Sequence, residues 1–124
     1  VSICKSAWVY GDEEKLKQVM SNYISNAVKY GGENKFVAIE LKRTGRKVRF
    51  DVIDHGVGIP SDEIGHVWDR YYRTSANHDR KIEGSGLGLS IVKGILTLHN
   101  ANYGVESREG SGSDFWFEMD TVRK

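Results

Sequence analysis

Two glycine-spaced segments, Asp54-His55-Gly56-Val57-Gly58 and Gly84-Ser85-Gly86-Leu87-Gly88-Leu89, sit where the hydrophobic pattern of the chain changes its period. Before the first, Val48, Phe50 and Val52 alternate with polar residues, the period of a half-buried strand. After the second, Leu89, Ile91, Val92, Ile95, Leu96 and Leu98 recur at helical spacing over an arc too wide for a surface helix, which predicts a helix buried against a sheet. Turning on glycine at the end of a strand, and again at the start of a helix, constrains the chain to a layered α/β arrangement.

The remaining pattern fills in the layers. Residues 1–10 can form a short strand. Asp12 then stands at an N-cap position, with Glu13 and Glu14 in a favourable first turn, and a helix follows to Tyr30 with Leu16, Met20, Tyr23 and Ala27 as its core stripe. Gly31-Gly32 stops it. Val37, Ile39 and Leu41 alternate like Val48, Phe50 and Val52, so the middle reads as two antiparallel strands joined at Thr44-Gly45. Pro60-Ser61-Asp62-Glu63 opens a short helix towards Trp68, and residues 74–84 are polar and turn-rich, a mobile segment with little to bury. Tyr103 and Val105, then Phe115, Phe117 and Met119 across Gly110-Ser111-Gly112, form a closing hairpin. The expected fold is a two-layer α/β sandwich, a mixed sheet with helices packed on one face.

Residues 1–124 fit one domain with no internal boundary. Eighteen basic and seventeen acidic residues leave a net charge of +1, which removes a general electrostatic case for nucleic acid. Lys42, Arg43, Arg46, Lys47 and Arg49 cluster around one turn, as a solvated hairpin or a phosphate patch. Cys4 is the only cysteine, so neither an internal disulfide nor a thiolate zinc site is available. The four histidines, His55, His66, His78 and His99, show no metal spacing and read as structural or solvated. No apolar run approaches the roughly 18 residues of a membrane span. The start at Val1, without a leader, leads us to expect a soluble piece of a longer protein.

Four groups of residues could carry chemistry. Asn22, Asn26 and Lys29 share a line on the first helix, displaced by roughly 100° from its core stripe at 3.6 residues per turn, and form either a working polar wall or a solvated face. Asp54 at a strand end could accept a hydrogen bond from the exocyclic amine of adenine and leave guanine, with a carbonyl there, unpaired; Asp-x-Gly-x-Gly is equally compatible with a tight surface turn. Gly84, Gly86 and Gly88 lead into a helix whose first N–H groups could hold phosphates, or they simply make a turn. The spacing is neither a Walker A loop nor a Rossmann fingerprint. Arg70, Arg73, Arg80 and Lys81 flank the polar segment as phosphate-reaching side chains or as ordinary surface charge.

Taken in order, these segments resemble the four boxes of the ATP-binding catalytic domain of sensor histidine kinases, in the GHKL superfamily shared with type II topoisomerases, MutL and heat-shock chaperone ATPases. Residues 12–30 resemble the N box and Asp54-His55-Gly56-Val57-Gly58-Ile59-Pro60 the G1 box. Val67-Trp68-Asp69-Arg70-Tyr71-Tyr72-Arg73 resembles the F box, and the segment from Gly84 to Lys93 the G2 box. The resemblance covers nearly the whole chain. It implies a Bergerat-type fold that binds ATP and Mg2+, and a protein-histidine kinase that passes the γ-phosphate to a histidine on a separate dimerisation domain of the parent.

The same resemblance distributes the roles. Asn26 would hold Mg2+, with Asn22 beside the phosphates and Lys29 and Tyr30 completing the wall. Asp54 would bind adenine, with Gly56, Gly58 and Ile59 around it. Gly84, Gly86, Leu87, Gly88 and Leu89 would border the nucleotide, Arg70 and Arg73 would reach the triphosphate, and residues 61–83 would form a lid. The chaperone branch places a glutamate base where Asn22 stands, and an amide cannot take a proton, so transfer to an acceptor is favoured over hydrolysis. No His-Glu/Asp motif followed by Arg/Lys-Thr-Pro, as the family's phosphoacceptor histidine has, occurs in the chain. Trp68 replaces the usual Phe of the F box, Tyr71 replaces a second frequent aromatic, and Asn100-Ala101 replaces Gly-Gly after His99. The implied parent is a homodimer with this domain, itself a monomer, on the cytoplasmic side of a membrane, signalling onward to a response regulator. A nucleotide-sensing pseudokinase and an anti-sigma-type serine kinase remain alternatives.

Overall fold

The computed structural model describes residues 8–30, 36–69, 88–108 and 110–122. In chain order these form helix α1 (Glu13–Tyr30), strands β1 (Val37–Thr44) and β2 (Lys47–Asp54), a single 3-10 turn (Ile64–His66), helix α2 (Gly88–Leu98), and strands β3 (Asn102–Arg108) and β4 (Gly112–Asp120). The strands make one sheet in the order β1-β2-β4-β3. Every pairing among the described residues is antiparallel, where a mixed sheet was expected. A parallel partner would have to come from elsewhere, and residues 1–7 of the expected first strand, Cys4 included, lie outside the described residues. Trp8 to Tyr10 form no strand, although the Val122 N–H reaches the Trp8 carbonyl at 2.7 Å beyond the end of β4.

Local chemistry starts and stops these elements. The Asp12 carboxylate accepts the Lys15 N–H at 3.1 Å, which caps α1 as its sequence predicts. Gly45, at φ 60, turns the β1–β2 hairpin in a conformation that costs a Cβ-bearing residue. Asn100 at φ 54 closes α2, with the Ala101 N–H donating to the Leu96 carbonyl and the Asn100 N–H to Thr97, so asparagine serves this turn in place of glycine. The helix expected between Pro60 and Trp68 shrinks to the one 3-10 turn, after which Val67 is buried and Trp68 packs against the core.

Both helices lie on one face of the sheet and share a single core with it. Leu16, Val19, Tyr23 and Ala27 of α1 and Val92, Ile95 and Leu96 of α2 meet Phe50, Val52, Phe115, Phe117 and Met119. Val19, outside the predicted stripe, is fully buried, and Met20 only partly. Tyr23 is the centre: its ring lies 5.6 Å from Phe115 and 6.3 Å from Phe117, and its hydroxyl donates to the Trp116 carbonyl at 3.1 Å. Two expectations need correction. Helix α2 is not buried all round, since Ile91 is 42% and Leu98 84% exposed; only the stripe Val92, Ile95, Leu96 faces α1 and β3. On β1, Ile39 and Leu41 are each more than a third exposed, because β1 is an edge strand and α1 packs chiefly over β2.

Helices α1 and α2 run antiparallel. Gly88, where α2 starts, faces Asn22 of α1, and His99, just past the end of α2, reaches the start of α1. The His99 ring accepts the Asp12 N–H on Nε2 at 3.0 Å and lies 2.8 Å from the Ile95 carbonyl through Nδ1. A carbonyl only accepts, so Nδ1 carries the proton and the imidazole is neutral. Gly11 leaves room for it; a Cβ there would lie 2.7 Å from the ring.

Across the register, the inward face of the sheet is built in rows. Leu41, Phe50, Phe117 and Tyr103 form one and Ile39, Val52, Phe115 and Val105 the next; the last is Val37, Asp54, Ser113 and Ser107. The apolar layer thus ends in three polar side chains at one edge of the core.

The outward face carries Arg49, whose guanidinium lies 4.3 Å from the Trp116 ring and forks onto Asp51 at 3.0 and 3.1 Å. Asp114 is the diagonal neighbour of Asp51. Burial first, and then the Asp51 carboxyl, push the Asp114 carboxyl up to about 7, opposed by Arg49 and reinforced by Glu106. Its Oδ1 is buried without a donor, which a proton shared with Asp51 supplies. A carboxyl whose folded value is raised stabilises the fold below its ordinary 3.8, and that contribution is lost as pH rises towards about 7. Asp114→Asn, neutral throughout, is expected to gain stability relative to wild type between about pH 4 and pH 7 and to hold that gain above it. Urea denaturation across this range checks the prediction; parallel curves for the two proteins would contradict it.

Candidate functional site

The polar end of the inward face holds Asp54, one of the sequence-predicted residues, with Gly56, Gly58 and Ile59 in the loop that follows it. Asp54, the last residue of β2, is 5% exposed although it carries a carboxylate. Such burial needs compensating donors. Asp54 Oδ1 accepts the Gly56 N–H at 2.8 Å, and the Ser113 N–H also donates to the carboxylate. Burial raises the Asp54 carboxyl above its ordinary value, and these two N–H bonds, with His55, oppose the rise. The backbone then turns tightly, with Gly56 and Ile59 buried and Gly58 at φ 72.

The loop after Asp54 runs over the ends of β4 and β3 and is tied to both. The Gly110 N–H donates to the Val57 carbonyl at 2.7 Å, and the Ile59 N–H donates to Ser107 Oγ at 2.8 Å. Gly112, at φ 90, sits directly beneath: a Cβ there would fall on the Asp54 carbonyl. Beyond the loop, Trp68 holds the chain to the core, with its ring 4.9 Å from Tyr103, 5.8 Å from Phe115 and 6.5 Å from Tyr23. The Trp for Phe replacement therefore keeps an apolar anchor. At the rim, His55 is exposed and stacks on Phe36 with ring centroids 4.2 Å apart.

Helix α1 supplies the polar wall. Asn22 and Asn26 are half-buried, and neither amide has a hydrogen-bond partner among the described residues, whereas Lys29 is exposed. Asn22 meets the start of α2: a Cβ on Gly88 would come 3.4 Å from Asn22 Oδ1, an ordinary van der Waals contact that puts the helix start beside the amide. Leu89 follows, packed against the core. The start of α2, a partly positive helix end, therefore lies next to the Asn22 amide, a neutral donor and acceptor. Arg70, Arg73, Gly84, Gly86 and Leu87, with the side chain of Tyr30 and residues 70–83 of the expected lid, lie outside the described residues. So do Arg80, Lys81, and Tyr71. The basic residues around Gly45 form a hairpin in which Lys42 pairs with Glu40 at 3.1 Å and Lys47 with Asp120 at 2.6 Å.

Ser107, Gly112 and Ser113 were missed as site residues by sequence reasoning. The available signal was Gly-x-Gly followed by Ser at the start of a central strand, which was read only as a hairpin turn.

Comparison with known proteins agrees with this geometry. Residues 11–123 match the family model described as histidine kinase-, DNA gyrase B-, and HSP90-like ATPase. The chain belongs to that family. Within it, the relatives and structural neighbours are sensor histidine kinases, and the chain corresponds to their catalytic, ATP-binding domain. It is 38% identical over 109 residues to the phosphate regulon sensor protein PhoR of Haemophilus influenzae, covering 88% of this chain and 26% of that protein. It is 35% identical over 117 residues to the sensor histidine kinase WalK of Bacillus subtilis, covering 93% of this chain and 19% of that one. The chain thus spans about a quarter or less of these relatives. Among solved structures, the mycobacterial sensor histidine kinase MprB superposes with a TM-score of 0.79 at 26% identity, over 94% of this chain and 76% of that one. Full-length ShkA in complex with AMPPNP gives 0.79 at 29% identity, over 96% and 24%.

Gly112→Ala is expected to disturb the Asp54 turn, since the new methyl meets the Asp54 carbonyl and the positive φ disfavours alanine, at a cost of about 1–3 kcal/mol. Thermal or urea denaturation measures the loss; a variant as stable as wild type would contradict the close approach.

Proposed function

We propose that residues 1–124 form one catalytic domain that binds MgATP and passes the γ-phosphate to a histidine carried on a separate dimerisation domain of the parent protein. The observation that carries this reading is the buried carboxylate of Asp54, fixed by two N–H donors at a sheet end, together with the Asn22 and Asn26 amides of the helix layer, which have no hydrogen-bond partner among the described residues. A fixed acceptor selects an exocyclic amine, as adenine has, over a carbonyl. Support also comes from ShkA, whose structure holds the ATP analogue AMPPNP.

The residues present fit ATP and its ion. Glycine at position 88 leaves open the space a Cβ would fill beside Asn22, where phosphate oxygens would meet the first N–H groups of α2. Asn26 offers an amide oxygen with no partner among the described residues, suited to a Mg2+ ion that takes one protein ligand and completes its shell with phosphates and water. Such an ion would neutralise charge on the phosphates. Gly56, Gly58 and Ile59 border the adenine in this reading, Leu89 and the Gly84, Gly86 and Leu87 segment border the phosphates, and Lys29, Tyr30, Arg70 and Arg73 supply the outer polar contacts. The side chain beside the phosphates is the Asn22 amide, which orients and cannot act as a general base. Transfer then breaks the bond from the γ-phosphorus to the bridging oxygen, releases ADP and forms a phosphorus–nitrogen bond on the acceptor imidazole, with this chain contributing position and charge balance.

No helix among the described residues is long and apolar enough to cross a membrane. The parent is read as a homodimeric sensor that keeps this domain on the cytoplasmic side and signals to a response regulator, while the domain itself is monomeric and does not bind nucleic acid.

With the parent's histidine domain and radiolabelled ATP, the wild type is expected to give an acid-labile, base-stable phosphoprotein. An acid-stable product would mark a serine kinase, and ATP binding without any product a nucleotide sensor. In calorimetry, Mg2+ should strengthen ATP binding by the wild type and not by Asn26→Ala; an unchanged magnesium effect in the variant would contradict the ligand assignment.

A further inference from the structure

The loop after Asp54 has three attachments, and the farthest comes from the opposite edge of the sheet. Ser107 lies on β3, two strands from β2, and is the last side chain in the row Asp54, Ser113, Ser107. Its hydroxyl makes three contacts: the Ile59 N–H at 2.8 Å, the Gly112 carbonyl at 2.9 Å and Ser113 Oγ at 2.9 Å.

Proton counting fixes their directions. A serine hydroxyl has one proton to give and two lone pairs to accept with. The Ile59 N–H can only donate, and the Gly112 carbonyl can only accept. The Ser107 proton therefore goes to Gly112, and the contact with Ser113 is satisfied by the Ser113 proton pointing towards Ser107. Every site on the Ser107 hydroxyl is then used. The one oxygen ties the end of the loop, the glycine that passes under Asp54 and the residue whose N–H binds the Asp54 carboxylate.

We propose that Ser107 is a positioning residue for nucleotide recognition, its hydroxyl holding residues 54–59 at the sheet end so that the Asp54 carboxylate is presented before the nucleotide arrives. The proposal rests on the MgATP reading above. Ser107 itself touches neither Asp54 nor, in this reading, the nucleotide; it acts through Ile59, Gly112 and Ser113. Without the hydroxyl the Ile59 N–H loses its partner, and the loop must be ordered by the ligand instead of beforehand, which lowers affinity.

The test uses Ser107→Ala and Ser107→Thr, with two readouts: amide hydrogen exchange at Ile59 in the absence of nucleotide, and ATP affinity by calorimetry. Threonine keeps the hydroxyl and suits a strand. Ser107→Ala is expected to release the Ile59 amide and weaken ATP binding about tenfold, while the ladder amides of Val52 and Phe117 exchange as in wild type; Ser107→Thr restores both. Rescue by threonine separates positioning from a general loss of stability. Unchanged Ile59 exchange in Ser107→Ala, undiminished ATP affinity once that amide is released, or failure of Ser107→Thr to restore binding would each overturn the proposal. A wild type that binds no ATP would overturn the nucleotide reading and with it the role of Ser107, while Ile59 exchange still reports the tether by itself.

Discussion

A carboxylate held out of water at the end of a central strand makes demands that much of the surrounding structure meets. Asp54 is buried, and a buried carboxylate needs donors. Two N–H groups supply them, one from Gly56 two residues on and one from Ser113 on the neighbouring strand. For both to reach, the chain must turn at once after β2 and β4 must start immediately beside it. Glycine at 112 permits the approach. The turn is then held by Gly110 and Ser107 from the β3–β4 hairpin. The last row of the inward face is polar for this reason, while the rows behind it are apolar.

The helix layer carries complementary chemistry. Tyr23, fully buried, seats α1 against Phe115 and Phe117, and its hydroxyl finds the Trp116 carbonyl. With that face fixed, Asn22 and Asn26 fall on the flank, one turn apart. Helix α2 lies antiparallel to α1, and the two are joined at both ends. At the far end His99 takes the Asp12 N–H, while at the near end the start of α2 at Gly88 lies beside Asn22. Each helix thus carries a polar feature on an element whose position is set by core packing and not by loops.

Much of this was legible in the sequence because it is local. The Asp12 cap, the alternation of Phe50 and Val52 and of Phe115 and Phe117, and the place of Asp54 at a strand end depend on residues a few positions apart. What was not legible depends on distant partners. Alternation on β1 predicted a core face, yet Ile39 and Leu41 stay exposed because nothing local says which strand the helices cover. The apolar arc of α2 predicted full burial, and Leu98 shows that only one stripe has a partner. Ser107 is one of many serines until Ile59, forty-eight residues away, is seen to donate to it. Val19 was missed in the same way. The family resemblance, by contrast, was carried by four segments in a fixed order, and order survives where contacts cannot be read.

The central claim is that the Asp54 carboxylate reads adenine. Its most direct test is a calorimetric titration of the wild type and of Asp54→Asn with ATP and with GTP, in magnesium. The wild type is expected to bind ATP and to discriminate against GTP, and the folded variant to lose about 1.5–3 kcal/mol of ATP affinity, the worth of a hydrogen bond to a charged acceptor. Equal affinity of the wild type for the two nucleotides, or unchanged ATP binding by Asp54→Asn, would contradict it.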